Sequence, residues 1–285
     1  MSVAAPASTV AGRSPLDGLP KLAAFVRRDF LVAWSYRTAF VAEWTTLALQ
    51  VAMFALIGRL VDPRLLPSYG GSHTSYMQFV SIGIAVAAVL SLGLGRVATG
   101  MRGEQLMGTL EQLLLTPTSA LTIQVGTVLY DLLFIPIRLA VFLTVVGLIF
   151  GLHFQAAGVL PALVFLFALI PFVWGLGIVN AASVMTFRRG GAGLGFLTAL
   201  IALGSGAYFP LSVLPHWLEV AIQNTPVALA LHGIRQELIG GAGWSLVGWN
   251  LVIIGVSSVL FVVLGSLAFR RALLRERRRG SLGLY

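Results

Sequence analysis

Two charges in this chain sit where charge is expensive. Asp131 and Arg138 fall inside a long apolar run from Leu121 to Phe150, and an ionised side chain at the centre of a bilayer helix costs roughly 2.5 to 3.5 kcal/mol on insertion scales. Each must therefore face protein or water. Seven residues put the two on one helical face but about 10 Å apart along the axis. A partner on another helix is the better geometry. Such a group either contacts a cargo or a gate, or serves as a structural ion pair or a snorkelling charge near the end of the span. Glu43, early in another apolar run, reads as an interfacial structural charge.

The other reactive residue types form no catalytic constellation. His73, His153, His216 and His232 have no i, i+4 pairing and no carboxylate cluster, so no metal site is expected. The ten Asp and Glu residues are scattered, without a close pair suited to acid–base work. Cysteine is absent, which excludes disulfides and thiolate sites. No G-x-x-x-x-G-K-[ST] occurs, and the single lysine is Lys21. The glycine-rich run Gly190 to Gly195 lacks both the lysine and the strand that a phosphate-cradling loop requires. No catalytic site and no cofactor are expected in this chain.

The elements that carry these residues follow from composition. The 285 residues are 58% hydrophobic and only 10% charged, with a mean hydropathy of +0.92, whereas soluble domains carry about 25% charged residues. This is an all-α integral membrane protein. About 20 apolar helical residues cross a bilayer core, and six such runs occur: 38–60, 76–99, 121–150, 157–186, 192–208 and 245–269, within a transmembrane domain of 37–270. Trp34, Trp44, Trp217, Trp244 and Trp249 fall near the expected interfaces. Gly191 and Gly195 form a small-x-x-x-small pair suited to close helix contact.

Charge sets the orientation. Arg13, Lys21, Arg27, Arg28 and Arg37 precede the first span, Arg96 and Arg102 follow the second, Arg188 and Arg189 follow the fourth, and Arg270, Arg271, Arg275, Arg277, Arg278 and Arg279 follow the sixth. Those fifteen face three, Arg59, Arg64 and Arg235, on the other side. The positive-inside rule then puts both termini in the cytoplasm. It also accounts for the net charge of +9 without nucleic acid. Residues 1–18 have no apolar core and read as a disordered cytoplasmic tail rather than a signal peptide. Residues 19–36 read as an amphipathic interfacial helix, with Lys21, Arg28 and Ser35 on one stripe and Phe25 among the apolar residues mostly elsewhere. Residues 271–285 read as a basic cytoplasmic tail.

Two interruptions are not generic. Between the second and third spans, residues 102–115 place Leu106, Leu110, Leu113 and Leu114 on one stripe, with Glu104 and Glu111 seven residues apart on another. Thr116-Pro117 ends that helix, because the residue before a proline is pushed out of the α region. A cytoplasmic helix of this kind calls for a partner surface that is apolar with a basic rim. Between the fifth and sixth spans, Phe209 to Gly243 is moderately apolar but broken by Pro210, Pro215 and Pro226. Short helices over 211–240 that dip into the outer membrane surface and return would satisfy its backbone.

At these two blocks the chain resembles the membrane subunits of ATP-binding cassette (ABC) exporters of the type-2 permease class. The matching residues are Arg102-Gly103-Glu104 through Gly108-Thr109-Leu110-Glu111-Gln112-Leu113-Leu114 to Thr116-Pro117, and Phe209-Pro210-Leu211-Ser212-Val213-Leu214-Pro215 with Pro226 and Arg235 downstream. The resemblance implies two membrane subunits, identical or related, above two separate ATPase subunits that bind ATP and Mg. Arg102, Glu104, Thr109, Leu110, Glu111 and Leu114 would belong to a coupling helix lying in a groove of the ATPase. Phe25, Arg27 and Arg28 would belong to the interfacial helix that also touches it. Asp131, Arg138, Tyr208, Phe209 and Trp217 are candidates for the translocation path or its outer gate, although aromatic residues at a span end commonly serve as interfacial anchors. The implied cargo is a drug, lipid or glycolipid-like molecule, and the Arg-rich, Lys-poor composition fits a bacterial plasma membrane. A secondary transporter or channel is the competing class, and it would be expected to carry more midplane charge than Asp131 and Arg138 supply.

Overall fold

A computed structural model describes residues 19–35, 37–62, 66–69, 74–106, 120–187, 196, 199–201, 203–246 and 248–279. Among these there is no β-strand. The helices are α1 (Leu19–Ser35), α2 (Arg37–Gly58), α3 (Tyr76–Leu106), α4 (Ala120–Phe150), α5 (Val159–Phe187), α6 (His216–Gln223), α7 (Pro226–Leu238) and α8 (Gly248–Arg279). The described residues of the fifth run, between 196 and 204, are helical as well. Among the described residues, four segments are long and apolar enough to cross a bilayer: Tyr76–Gly95, Leu133–Phe150, Ala156–Ser183 and Gly248–Ala272. The protein is membrane-embedded.

Three connections meet at one end of the bundle, here called the cap end. Gln78 Nε2 donates to the His153 carbonyl at 2.9 Å, the Tyr76 hydroxyl donates to the Tyr208 carbonyl at 3.1 Å, and the Gln155 amide donates to the Leu238 carbonyl at 2.8 Å. The starts of α3 and α5, the end of the fifth run and the end of α7 therefore lie together.

Helices α3 and α5 form the centre. Their spanning segments are 67% and 56% buried, against 28% for α4 and 17% for α8, which leave broad apolar faces uncovered by this chain. Phe79, Ile82, Leu90 and Leu94 of α3 pack with Phe165, Leu166 and Leu169 of α5, and Leu231 and Ile234 of α7 close the cluster. Helix α8 lies along α5, and small residues permit the approach: a β-carbon on Gly265 would sit 2.7 Å from the Gly175 carbonyl oxygen. Interhelical polar bonds are satisfied inside the protein. Ser258 Oγ donates to the Ala168 carbonyl at 2.9 Å and Asn180 Nδ2 to the Leu94 carbonyl at 3.4 Å. Thr45, Thr46 and Thr144 return their hydroxyls to carbonyls one turn back in their own helices.

Three boundaries differ from the sequence reading. The fifth run leaves the helix after Gly204, four residues early, because Gly206 turns the chain at φ +74°. Helix α3 continues without a break through Arg102 and Glu104 to Leu106. Helix α8 continues through the arginines to Arg279, since Arg, Leu and Glu are good helix formers in water as well.

Candidate functional site

The cap is built from residues that either start or stop helices. Pro215 ushers in α6, with Glu219 in its first turn, where a carboxylate suits the positive end of the helix dipole. Thr225 caps α7 by accepting from the Ala228 amide at 3.4 Å, and Pro226 occupies the first turn, where a missing N–H costs nothing. Helix α7 is buried over most of its length, and on one face it carries His232 and, one turn on, Arg235.

Arg235 is 4% exposed and bonds to three carbonyls. Its Nε and Nη2 donate to Phe79 at 3.2 and 3.0 Å, Nη2 also to Ala207 at 2.9 Å, and Nη1 to Gly206 at 2.9 Å. The guanidinium carbon lies 3.4 Å from the centroid of the Phe79 ring, a stacked cation–π arrangement. One side chain thus ties α7 to the start of α3 and to the end of the fifth run. Gly83 makes room for it: a β-carbon there would collide with the Ala207 carbonyl and reach within 3.0 Å of Arg235 Nη2.

Burial lowers the Arg235 pKa to about 10, with the Tyr69 hydroxyl working against the shift, so the group stays protonated at neutral pH. Tyr69 is pushed up by its own burial, against the pull of Arg235. His232, whose ring centroid is 5.7 Å from that of Tyr69, is pushed down by partial burial and then by the Arg235 charge, which favours the neutral imidazole.

Under the cap lies a cavity of about 500 Å³. Tyr69, Phe79, Ser205, Gln223, His232 and Arg235 are among its walls, with Glu219 on the α6 side. Its size suits a small-molecule group.

The sequence-derived candidates are dispersed. Tyr208 sits at a junction of three elements: its ring stacks on Phe54 at 5.0 Å, its hydroxyl accepts from Gln50 Nε2 at 3.2 Å, and its carbonyl accepts from Tyr76. Phe209 is half-buried and Trp217 is 72% exposed. None of these three lines the cavity. Asp131 is buried in α4, 7% exposed. Arg138 borders a small apolar pocket with Leu47 of α2, Val89 of α3 and Phe142 of α4. Arg102 and Glu104 lie on the last turn and a half of α3, whereas Thr109, Leu110, Glu111 and Leu114 lie outside the described residues. At the opposite end, α1 packs against α4 through Phe30 and Phe134, with centroids 6.2 Å apart, and leaves Arg27 and Arg28 exposed. Phe25 is helical in α1. Four tryptophans, Trp34, Trp217, Trp244 and Trp249, are exposed, as side chains of an interfacial belt would be. Among the described residues no cluster of His, Asp and Glu could hold a metal.

Arg235 stands out here although the sequence marked it as one basic residue on the sparsely charged side and as a residue downstream of the second family block, with no role of its own. Its signal was the i, i+3 spacing from His232 on a helix with an otherwise apolar, buried face. Tyr69 and Gln50 gave none.

No curated protein matches the chain. Residues 20–239 match the model of the ABC-2 type transporter family, a stretch that runs from α1 through residues 102–115 and the cap to the end of α7. A match over that much of the chain, on a helical bundle of this kind, means that the protein belongs to the ABC-2 type transporter family.

Proposed function

We propose that this chain is the permease subunit of an ATP-driven exporter. It crosses a bacterial plasma membrane six times, keeps both ends in the cytoplasm, and forms the translocation path with a second copy of itself or a related chain. Two separate ABC ATPase subunits, which bind ATP and Mg, dock beneath. The observation that carries the reading is the family match over residues 20–239, because it takes in both interruptions of an otherwise generic bundle. Family membership implies an ATPase partner, and fifteen basic residues on one side against three on the other support cytoplasmic ends.

In this reading the cap faces outward and residues 102–115, which begin on the last turns of α3, face the ATPase, with Glu104 and Glu111 meeting its basic residues. Closure of the ATPase pair on ATP moves that helix and switches the path between inward and outward access. The chain's own work is to bind, enclose and release a drug, lipid or glycolipid-like cargo, while hydrolysis belongs to the partner. Purification of the intact complex followed by reconstitution tests this. An ATPase chain should copurify, and vesicles should show ATP-dependent movement of an amphipathic cargo; a complex without an ATPase and without such movement defeats the proposal.

A further inference from the structure

We infer that the cavity under the cap binds the oxyanion of a head group, with a phosphate ester as the fitting chemistry. The inference rests on the permease reading only in treating that ligand as cargo on the outward side.

The argument starts from a charge whose neighbours are neutral. Arg235 is 4% exposed and stays protonated, yet what surrounds it is the carbonyls of Phe79, Gly206 and Ala207, the face of the Phe79 ring and the Tyr69 hydroxyl. Among the described residues no carboxylate lies within ion-pair distance of it. Dipoles and a ring lower the cost of burying a guanidinium, but they leave its net charge in place, and removing a charge from water is costly even after relaxation. An anion in the adjoining cavity would restore what water supplied.

The geometry is set before any ligand arrives. Four donor contacts to backbone fix the guanidinium, so the site loses little side-chain freedom on binding. A clamp between helices needs no cavity beside it, whereas here about 500 Å³ adjoins the clamp. Hydroxyl and amide groups of Ser205, Ser212, Gln223 and Asn224 line the rest. These are neutral partners suited to the ester and hydroxyl oxygens around a phosphate. Glu219 is the acid on this wall; its side chain is 32% exposed and lies 3.9 Å from His216 Nδ1, so it is open to water and its counter-ions. Exposed Trp217, Val213 and Val220 on the same cap suit contact with a membrane surface.

A phosphate ester can come from a lipid or from solution, and the test separates the two. The full-length chain is placed in nanodiscs of phosphatidylcholine and titrated with glycerol 3-phosphate, with glycerol as the uncharged control. A second set contains phosphatidylglycerol, and retained lipid is counted by native mass spectrometry. Saturable binding of glycerol 3-phosphate at least about tenfold tighter than glycerol, or selective retention of phosphatidylglycerol, is expected, and whichever arm responds identifies the source. Because Arg235 also holds helices together, the variant that decides is Gln223→Glu, an isosteric change on an exposed wall residue that adds a negative charge. It should weaken binding by about tenfold or more at an unchanged melting temperature. Equal binding of glycerol and glycerol 3-phosphate, no binding from either source, or full binding by Gln223→Glu overturns the inference. Copurification of the ATPase reads the permease proposal separately, so either can fail without the other.

Discussion

Arg235 holds Phe79 by two different parts of the same residue: its guanidinium stacks 3.4 Å from the ring centroid, and two of its nitrogens donate to the Phe79 carbonyl. A lysine could keep the charge but not the fork. Arg235→Lys should therefore leave carbonyls of Phe79, Gly206 or Ala207 short of a donor and cost about 2–4 kcal/mol of stability. Arg235→Ala should cost more. Thermal denaturation in detergent, with limited proteolysis of the cap, reads the effect, and a lysine variant as stable as the parent would remove Arg235 as the clamp.

Glu237, two residues on, is fully buried. Burial pushes its carboxyl above the ordinary value of 4.5, and the Gly243 backbone amide works against that shift. A folded group with a raised pKa binds its proton more readily than the unfolded chain does. Its favourable contribution is complete below pH 4.5 and is lost as the pH rises through the folded value. Glu237→Gln should therefore be more stable than the parent near neutral pH, with the difference shrinking toward pH 4.5. A difference that is flat across that window would show that the carboxylate is better solvated than its burial implies.

The α5–α8 seam gives a paired test on one helix. A β-carbon at Gly265 meets the Gly175 carbonyl oxygen at 2.7 Å, whereas one at Gly255 meets nothing within 4 Å. Gly265→Val should force the helices apart and cost about 1–3 kcal/mol. Gly255→Ala should be neutral or slightly stabilising, as expected for replacing glycine inside a helix. Melting curves of the two variants decide, and equal effects would contradict the packing described.

For the proposed coupling helix, Glu111→Lys should abolish ATP-driven movement while the chain inserts and accumulates normally. If the proposed contact holds, replacing a carboxylate opposite a basic surface with a cation turns attraction into repulsion. Membrane fractionation and reconstituted transport measure the two halves of this statement. Transport at the parental rate would separate Glu111 from the ATPase contact.

The helical character of the apolar runs was readable because a bilayer leaves their backbone little choice; α2 covers Arg37–Gly58 and α4 covers Ala120–Phe150. Pro210, Pro215 and Pro226 likewise marked where the helices of the cap break, because proline acts locally. The clamp was not readable. Arg235 and Phe79 are 156 positions apart, and no local pattern couples an arginine to a carbonyl on another helix. The clamp depends on a glycine at 83 whose missing side chain matters only once Ala207 is beside it. Tyr208, Phe209 and Trp217 are aromatic residues at or beyond the end of the fifth run, and the fold spreads Tyr208 and Trp217 between a three-element junction and an exposed surface.

Helix α3 carries Phe79 near one end and Glu104 near the other, and the 31 residues between Tyr76 and Leu106 form a single unbroken helix of about 46 Å. It is a connecting rod. A push delivered at Glu104 meets no helix break on the way to Phe79, and at Phe79 the rod is bolted through Arg235 to α7 and to the end of the fifth run. The end of α3 that carries Glu104 and the end clamped by Arg235 therefore belong to one continuous piece.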